Sequence, residues 1–162
     1  MTRQLWAPWR LAYVQRAGEQ DGCVFCDEAA GVLGGGDSLV VYRGDAAVVL
    51  LNKFPYSPGH LMVAPMRHTG ELGDLSSDEA AEIHGLTVVA IDVLGATMRP
   101  DAFNVGWNLG EIAGGSIAGH LHEHIVPRWN GDTNFMPVLA DVKVLPEHLL
   151  ATRARLVDAW PE

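Results

Sequence analysis

Apolar residues fall in short unbroken blocks at the start of the chain and at helical intervals in the middle, and the two spacings predict different elements. "SLVVYR" (38–43) and "AAVVLLN" (46–52) are β-branched runs parted by Gly44 and Asp45, the pattern of a β-hairpin. "FPYSPG" follows as a loop, because two prolines block regular pairing and Gly59 permits unusual backbone angles. "HLMVAP" resumes as a third strand. The period then changes. Ile83, Leu86, Ala90, Val93 and Leu94 recur at the spacing of one helical face. Ser76 with Glu79 forms a capping box, Asp78, Glu79 and Glu82 suit the positive end of the helix dipole, and Pro100 enforces a stop. "FNVGWNL" (103–109) and "LHEHIVPR" (121–128) read as strands and "NFMPVL" as a weaker one. "PEHLLATRARLVDAW" reads as a closing helix with Pro146 in its first turn. This order predicts an α+β fold: a mostly antiparallel sheet, one long helix and a C-terminal helix.

Composition narrows the setting. The 162 residues are 48% hydrophobic, enough for a single domain over 1–162 with a real core. Residues 1–17 form an aromatic arm in which Trp6, Trp9 and Tyr13 lie beside Arg3, Arg10 and Arg16, suited to pack on the core or on a second subunit. No apolar run reads as a membrane span and the first residues do not resemble a secretory signal, so a soluble cytoplasmic protein is expected. A net charge of −9 weighs against duplex nucleic acid, which needs a basic face. A small anionic ligand remains open, held by short-range donors. "AAGVLGGGDS" lacks the Lys-Ser/Thr ending of a phosphate loop and reads as a connection.

The densest chemistry lies in "GHLHEHIV", where His120, His122 and His124 alternate. On a strand the three rings project from one face, with Leu121, Glu123 and Ile125 on the other. Alternate residues on a strand stand about 7 Å apart, so the outer two rings would be about 14 Å apart, too far for all three to share one ion without a bulge. Different tasks for the three follow. Asn108, Gly114, Gly115 and Ser116 lie just upstream, and a Gly-Gly turn with a hydroxyl beside imidazoles makes a plausible phosphate cradle. Cys23 and Cys26 have the spacing of a zinc knuckle (22–30), but also that of a redox pair.

Taken together, "HLHEHIV", "LWAPWR", "CVFC", "LNKFPYSPGHLMVAP" and "HIVPRW" resemble the histidine-triad (HIT) nucleotide hydrolases and transferases over most of the chain. The resemblance implies the HIT-like fold, a homodimer with joined sheets, and His122 as nucleophile. A covalent nucleotidyl-histidine intermediate is implied, with His124 and Ser116 on the phosphate oxygens. Asn108 and the Gly115 N–H are further phosphate contacts, and Asn52 contacts the nucleoside unless it merely caps a turn. Zinc-bearing relatives complete a structural site at positions matched here by Cys23, Cys26, His68 and His120. His60 reads as architectural, and His84 and His148 as solvated helix residues. The Gly-Gly-Ser before the triad and "PRWNGDTNF" after it resemble the bacterial diadenosine tetraphosphate phosphorylases, which implies cleavage of an adenine dinucleotide by orthophosphate to ADP and ATP. Hydrolysis of a dinucleoside polyphosphate or phosphoramidate by water is the alternative, and a non-catalytic nucleotide sensor a second one. Glu123 departs from the family pattern, occupying a usually apolar slot.

Overall fold

The computed structural model describes residues 22–31, 38–113, 119–132 and 148–161. Five antiparallel strands form one sheet in the order β1-β2-β3-β5-β4, with β1 at Val40–Arg43, β2 at Ala47–Leu51, β3 at Leu61–Pro65, β4 at Ala102–Trp107 and β5 at Glu123–Arg128. Among the described residues three α-helices accompany them: α1 (Val24–Ala29), α2 (Ser77–Met98) and α3 (Leu149–Asp158). The expected α+β architecture is present, and the expected strand at 134–139 lies outside the described residues.

The unbroken apolar runs have a simple cause. All five residues of β2 and all five of β3 are buried, because both faces of the sheet are covered. Ala47, Val49 and Leu51 pack with Ile83, Leu86, Ala90, Val93 and Leu94 of α2. On the opposite face Val48 and Leu50 meet Met62, Ala64 and Phe25 of α1. Cross-strand register carries this division to β5: Met62 pairs with His124, while Leu61 and Val63 pair with Ile125 and Glu123. His124 therefore projects on the α1 side, and Glu123 on the α2 side.

The hairpin between β1 and β2 depends on a contact from outside it. Both oxygens of the Glu82 carboxylate accept backbone N–H groups, from Ala46 at 2.9 Å and Ala47 at 3.3 Å. A Cβ at Gly44 would lie 1.9 Å from the Glu82 carboxylate, so a side chain there would push that carboxylate off its two amides. The capping box of α2 is formed as expected, with Ser76 Oγ accepting from Glu79 N–H and the Glu79 carboxylate accepting from Ser76 N–H. Glu79 also receives Arg67 Nε at 3.0 Å and Nη2 at 2.9 Å, which ties the segment after β3 to the helix start. Three sequence expectations need correction. Helix α2 is long and apolar enough to cross a membrane by length and composition; its apolar residues instead form the face laid on the sheet. Helix α3 begins at Leu149, beyond Pro146, which lies outside the described residues. His148 is its N-cap, its Nδ1 accepting from Leu150 N–H at 3.3 Å, rather than a solvated residue within the helix.

Candidate active site and metal centre

The histidine row is not one strand. β5 begins at Glu123, so only His124 belongs to the ladder, and His120 and His122 precede it in irregular backbone. The three rings still share the α1 side, as expected, with His120 and His122 against Phe25 and His122 against His124, but each turns to a separate hydrogen-bond partner. Leu121 N–H donates to Thr69 O at 2.7 Å, anchoring this approach to the segment after β3.

His120 turns toward α1. Its Nε2–H donates to Pro65 O at 2.8 Å, which leaves the Nδ1 lone pair facing Cys23 Sγ at 3.2 Å and Cys26 Sγ at 3.5 Å. His68 Nδ1 lies 3.3 Å from Cys26 Sγ. The four donor atoms of Cys23, Cys26, His68 and His120 all lie within 4.8 Å of one another. Tetrahedral zinc with ordinary bond lengths sets sulfur and nitrogen ligands about 3.6 Å apart, so these four residues fit the ion. A carbonyl on the far nitrogen of a ligating imidazole is also the usual outer support of such a site. The Cys-x-x-Cys pair does open a helix, as a redox pair would, but the sheet is antiparallel and no βαβ unit surrounds it among the described residues. Burial and the adjacent Cys23 thiol push the metal-free Cys26 thiol up to about 11.

His122 makes a different choice. A carbonyl can only accept, so the 2.9 Å contact between His122 Nδ1 and His120 O places the proton on Nδ1 and leaves Nε2 with its lone pair. Burial pushes this imidazole below its ordinary pKa, which keeps it neutral and nucleophilic near pH 7. Phe25 of α1, fully buried between Cys23 and Cys26 in sequence, packs against the rings of both His120 and His122, with centroids at 5.1 and 4.8 Å. It is the residue that sequence reasoning missed, although its position inside "CVFC" marks it as the apolar plug of the knuckle.

The His122 and His124 rings meet edge to face at 4.9 Å. Burial, then the neighbouring His122, hold His124 at a pKa of about 4. Asn108 reaches His124 Nε2 at 3.2 Å, so this expected site residue is brought to the triad. Asn52 Oδ1 accepts from Phe54 N–H at 2.8 Å, which is the turn-capping role. Gly115 and Ser116 lie outside the described residues. Glu123, the unexpected carboxylate, has its partner in Thr87 of α2.

The model of the HIT domain matches residues 35–131, and the chain belongs to the HIT family. Within that family, a Mycobacterium tuberculosis protein named AP-4-A phosphorylase is 43% identical over 164 residues, which cover 98% of this chain and 84% of that protein. An uncharacterized HIT-like protein of Saccharolobus solfataricus is 33% identical, over 70% of this chain and 79% of its own length. Among solved structures, a hypothetical histidine triad nucleotide-binding protein from Sulfolobus tokodaii superposes with a TM-score of 0.68 at 25% identity, covering 85% of this chain and 91% of that one. A Zn-bound histidine triad family protein from Mycobacterium smegmatis has the same fold, with a TM-score of 0.69 at 24% identity and coverage of 86% and 93%.

Proposed function

We propose that the protein is a diadenosine tetraphosphate phosphorylase acting through a nucleotidyl-His122 intermediate. The observation that carries this reading is the His122 tautomer: Nδ1–H is spent on the His120 carbonyl, so Nε2 offers a lone pair to phosphorus. The likeness to the mycobacterial AP-4-A phosphorylase over nearly the whole chain supports the substrate and the acceptor. Nε2 attacks the α-phosphorus and an N–P bond forms. The P–O bond to the departing ATP breaks, and that oxygen keeps the electron pair. An orthophosphate oxygen then attacks the same phosphorus, the N–P bond breaks, its electron pair returns to Nε2, and ADP is released. His124, Ser116, Asn108 and the Gly115 N–H serve the phosphate oxygens, where charge stabilisation and alignment supply most of the acceleration. Asn52 offers its carboxamide N–H groups to the nucleoside, its Oδ1 being held in the turn.

Zinc, held by Cys23, Cys26, His68 and His120, supplies cross-linking and no chemistry; the His120 ring is thereby withdrawn from proton transfer. Reduced cysteines and a free nucleotide substrate suit the cytoplasm. A homodimer is favoured by β4. It ends the sheet order, no strand among the described residues pairs with its outer edge, and Val105 on it is 45% exposed.

The test is incubation with diadenosine tetraphosphate, with and without orthophosphate, and identification of products. ADP with ATP, formed only when phosphate is present, is the expected result. AMP with ATP in its absence identifies a hydrolase, and no turnover with tight binding identifies a sensor. His122→Ala abolishes turnover while sparing nucleotide affinity; full activity in that variant would refute the intermediate.

A further inference from the structure

The loop between β2 and β3 shows two large aromatic side chains to solvent, Phe54 at 59% and Tyr56 at 52% exposure, while Pro55 and Ser57 are buried. Its backbone is tied down at both aromatic positions. Phe54 N–H donates to Asn52 Oδ1 at 2.8 Å, and Tyr56 N–H donates to His60 Nδ1 at 3.0 Å. A loop tied in this way presents its rings at fixed positions, so the exposed apolar surface is a built feature of the fold. Tyr56 also continues the row of rings at the active site. His122 meets His124 at 4.9 Å between centroids, and the Tyr56 ring stacks on His124 at 5.6 Å with 27° between the planes. The same ring packs on His60 at 4.7 Å, which fixes its tilt. From the nucleophile outward the order is therefore His122, His124, Tyr56, solvent.

We propose that the exposed part of the Tyr56 ring stacks with the base of the departing nucleotide, the distal adenosine of the dinucleoside tetraphosphate, and so selects substrates that carry a nucleoside at both ends. The inference rests on the proposed nucleotidyl transfer from such a substrate and adds the place of its second half. Asn52 serves the nucleoside that stays on His122, and His124 serves the phosphate oxygens. A base at the far end of the phosphate chain emerges past His124, where Tyr56 stands. Stacking suits this half of the substrate for a further reason. The chain carries a net charge of −9, so its field offers a polyanion no long-range attraction, and an aromatic contact adds affinity without a cation. Phe54 adds apolar surface to the same loop.

Diadenosine tetraphosphate and adenosine tetraphosphate separate the two ends of the substrate, since they share the phosphate chain and differ in the distal adenosine. With orthophosphate supplied, the unaltered protein should cleave the first with a kcat/KM about 10-fold above that for the second. Tyr56→Ala should remove most of that preference. Tyr56→Phe, which keeps the ring, should retain it, and Tyr56→Leu, which keeps bulk without a π-face, should not. A merely structural disturbance of His60 or His124 slows both substrates alike and leaves the ratio unmoved. An unmoved ratio in a folded Tyr56→Ala protein would therefore overturn the proposal, as would equal use of the two substrates by the unaltered protein. If Tyr56→Ala fails to fold, Tyr56→Leu and the preference of the unaltered protein still decide. If the unaltered protein turns over neither compound, the proposed function fails, and binding alone decides the stacking site. A non-cleavable, methylene-bridged diadenosine tetraphosphate should then bind the unaltered protein about 10-fold more tightly than Tyr56→Leu, and equal affinities would sink it.

Discussion

The Thr87 hydroxyl of α2 donates to the Glu123 carboxylate of β5 at 2.5 Å, directly behind the histidine row. The same hydroxyl lies 2.9 Å from Ile83 O in the preceding turn, so the half-buried carboxylate is fixed at the helix–sheet interface. This pairing accounts for an acidic residue in a slot that the family usually fills with an apolar one.

Removing one partner should therefore cost more than removing both. Thr87→Val leaves the Glu123 carboxylate against an apolar surface and should lose about 1–3 kcal/mol of stability. Thr87→Val with Glu123→Leu should recover much of that loss, because no polar group is then left unpaired. Urea unfolding of the two singles and the double measures the coupling. Strictly additive losses would show that the contact contributes nothing to stability.

The triad histidines predict a low acid limb for catalysis. Burial pushes both rings below their ordinary value, His124 to about 4, so neither protonates as the pH falls from 8 to 6.5. A pH profile of kcat/KM should stay flat through that interval and decline only below the ordinary histidine range. The depressed value of His124 also lowers stability in acid, because the unfolded chain takes up the proton first. That contribution is complete above about 6.5 and fades as the pH falls toward 4.

Metal removal should reach stability before chemistry. Purified protein should hold one zinc per chain, and chelation should lower the thermal midpoint by about 5–10 °C for a chain of this size. Cys23→Ser should reproduce the shift. Nucleotidyl transfer per folded molecule should change less than stability does, since His122 takes its tautomer from a carbonyl and not from the ion. Phe25 links the two sites by contact, so the residual effect on turnover measures how firmly the knuckle braces the nucleophile.

Arg67 and Glu79 make a pH-dependent clasp at the start of α2. The Arg67 hydrogen bond, then that of the Ser76 N–H, hold the Glu79 carboxyl at about 2. Because this value lies below that of the unfolded chain, the stabilisation is present above about 4.3 and lost as the pH falls toward 2. The stability difference between the native protein and Arg67→Ala should accordingly shrink across that interval. Carbon-13 titration of the Glu79 carboxyl should show its midpoint rise in the variant.

Local signals in this chain were strong wherever the physics is local. The hairpin about Gly44, the capping box of Ser76 and Glu79, and the period of Ile83 to Leu94 each name an element without reference to anything distant. The same holds for the family motifs, whose residues stand at set intervals, and the group of Cys23, Cys26, His68 and His120 was legible as spacing plus resemblance. Strict alternation of His120, His122 and His124 correctly placed the rings on one side but wrongly promised a strand throughout, because the strand begins only at Glu123. Pairing decides that, because β5 meets β3 only from Glu123 onward and the preceding segment follows contacts to Thr69 and Pro65.

By itself the sequence determined which residues could act: three imidazoles, two thiols, a fourth histidine and a fold able to gather them. Only the tertiary structure decided what each nitrogen does. A histidine has two nitrogens and one proton to place when neutral, and nothing in the letters "GHLHEHIV" assigns it. For His120 the assignment comes from a carbonyl brought up by another segment, Pro65 O. His122 takes its own from His120 O, two residues away, once the backbone leaves the strand. Those are facts of chain path, and they give different surroundings to three side chains that are chemically the same.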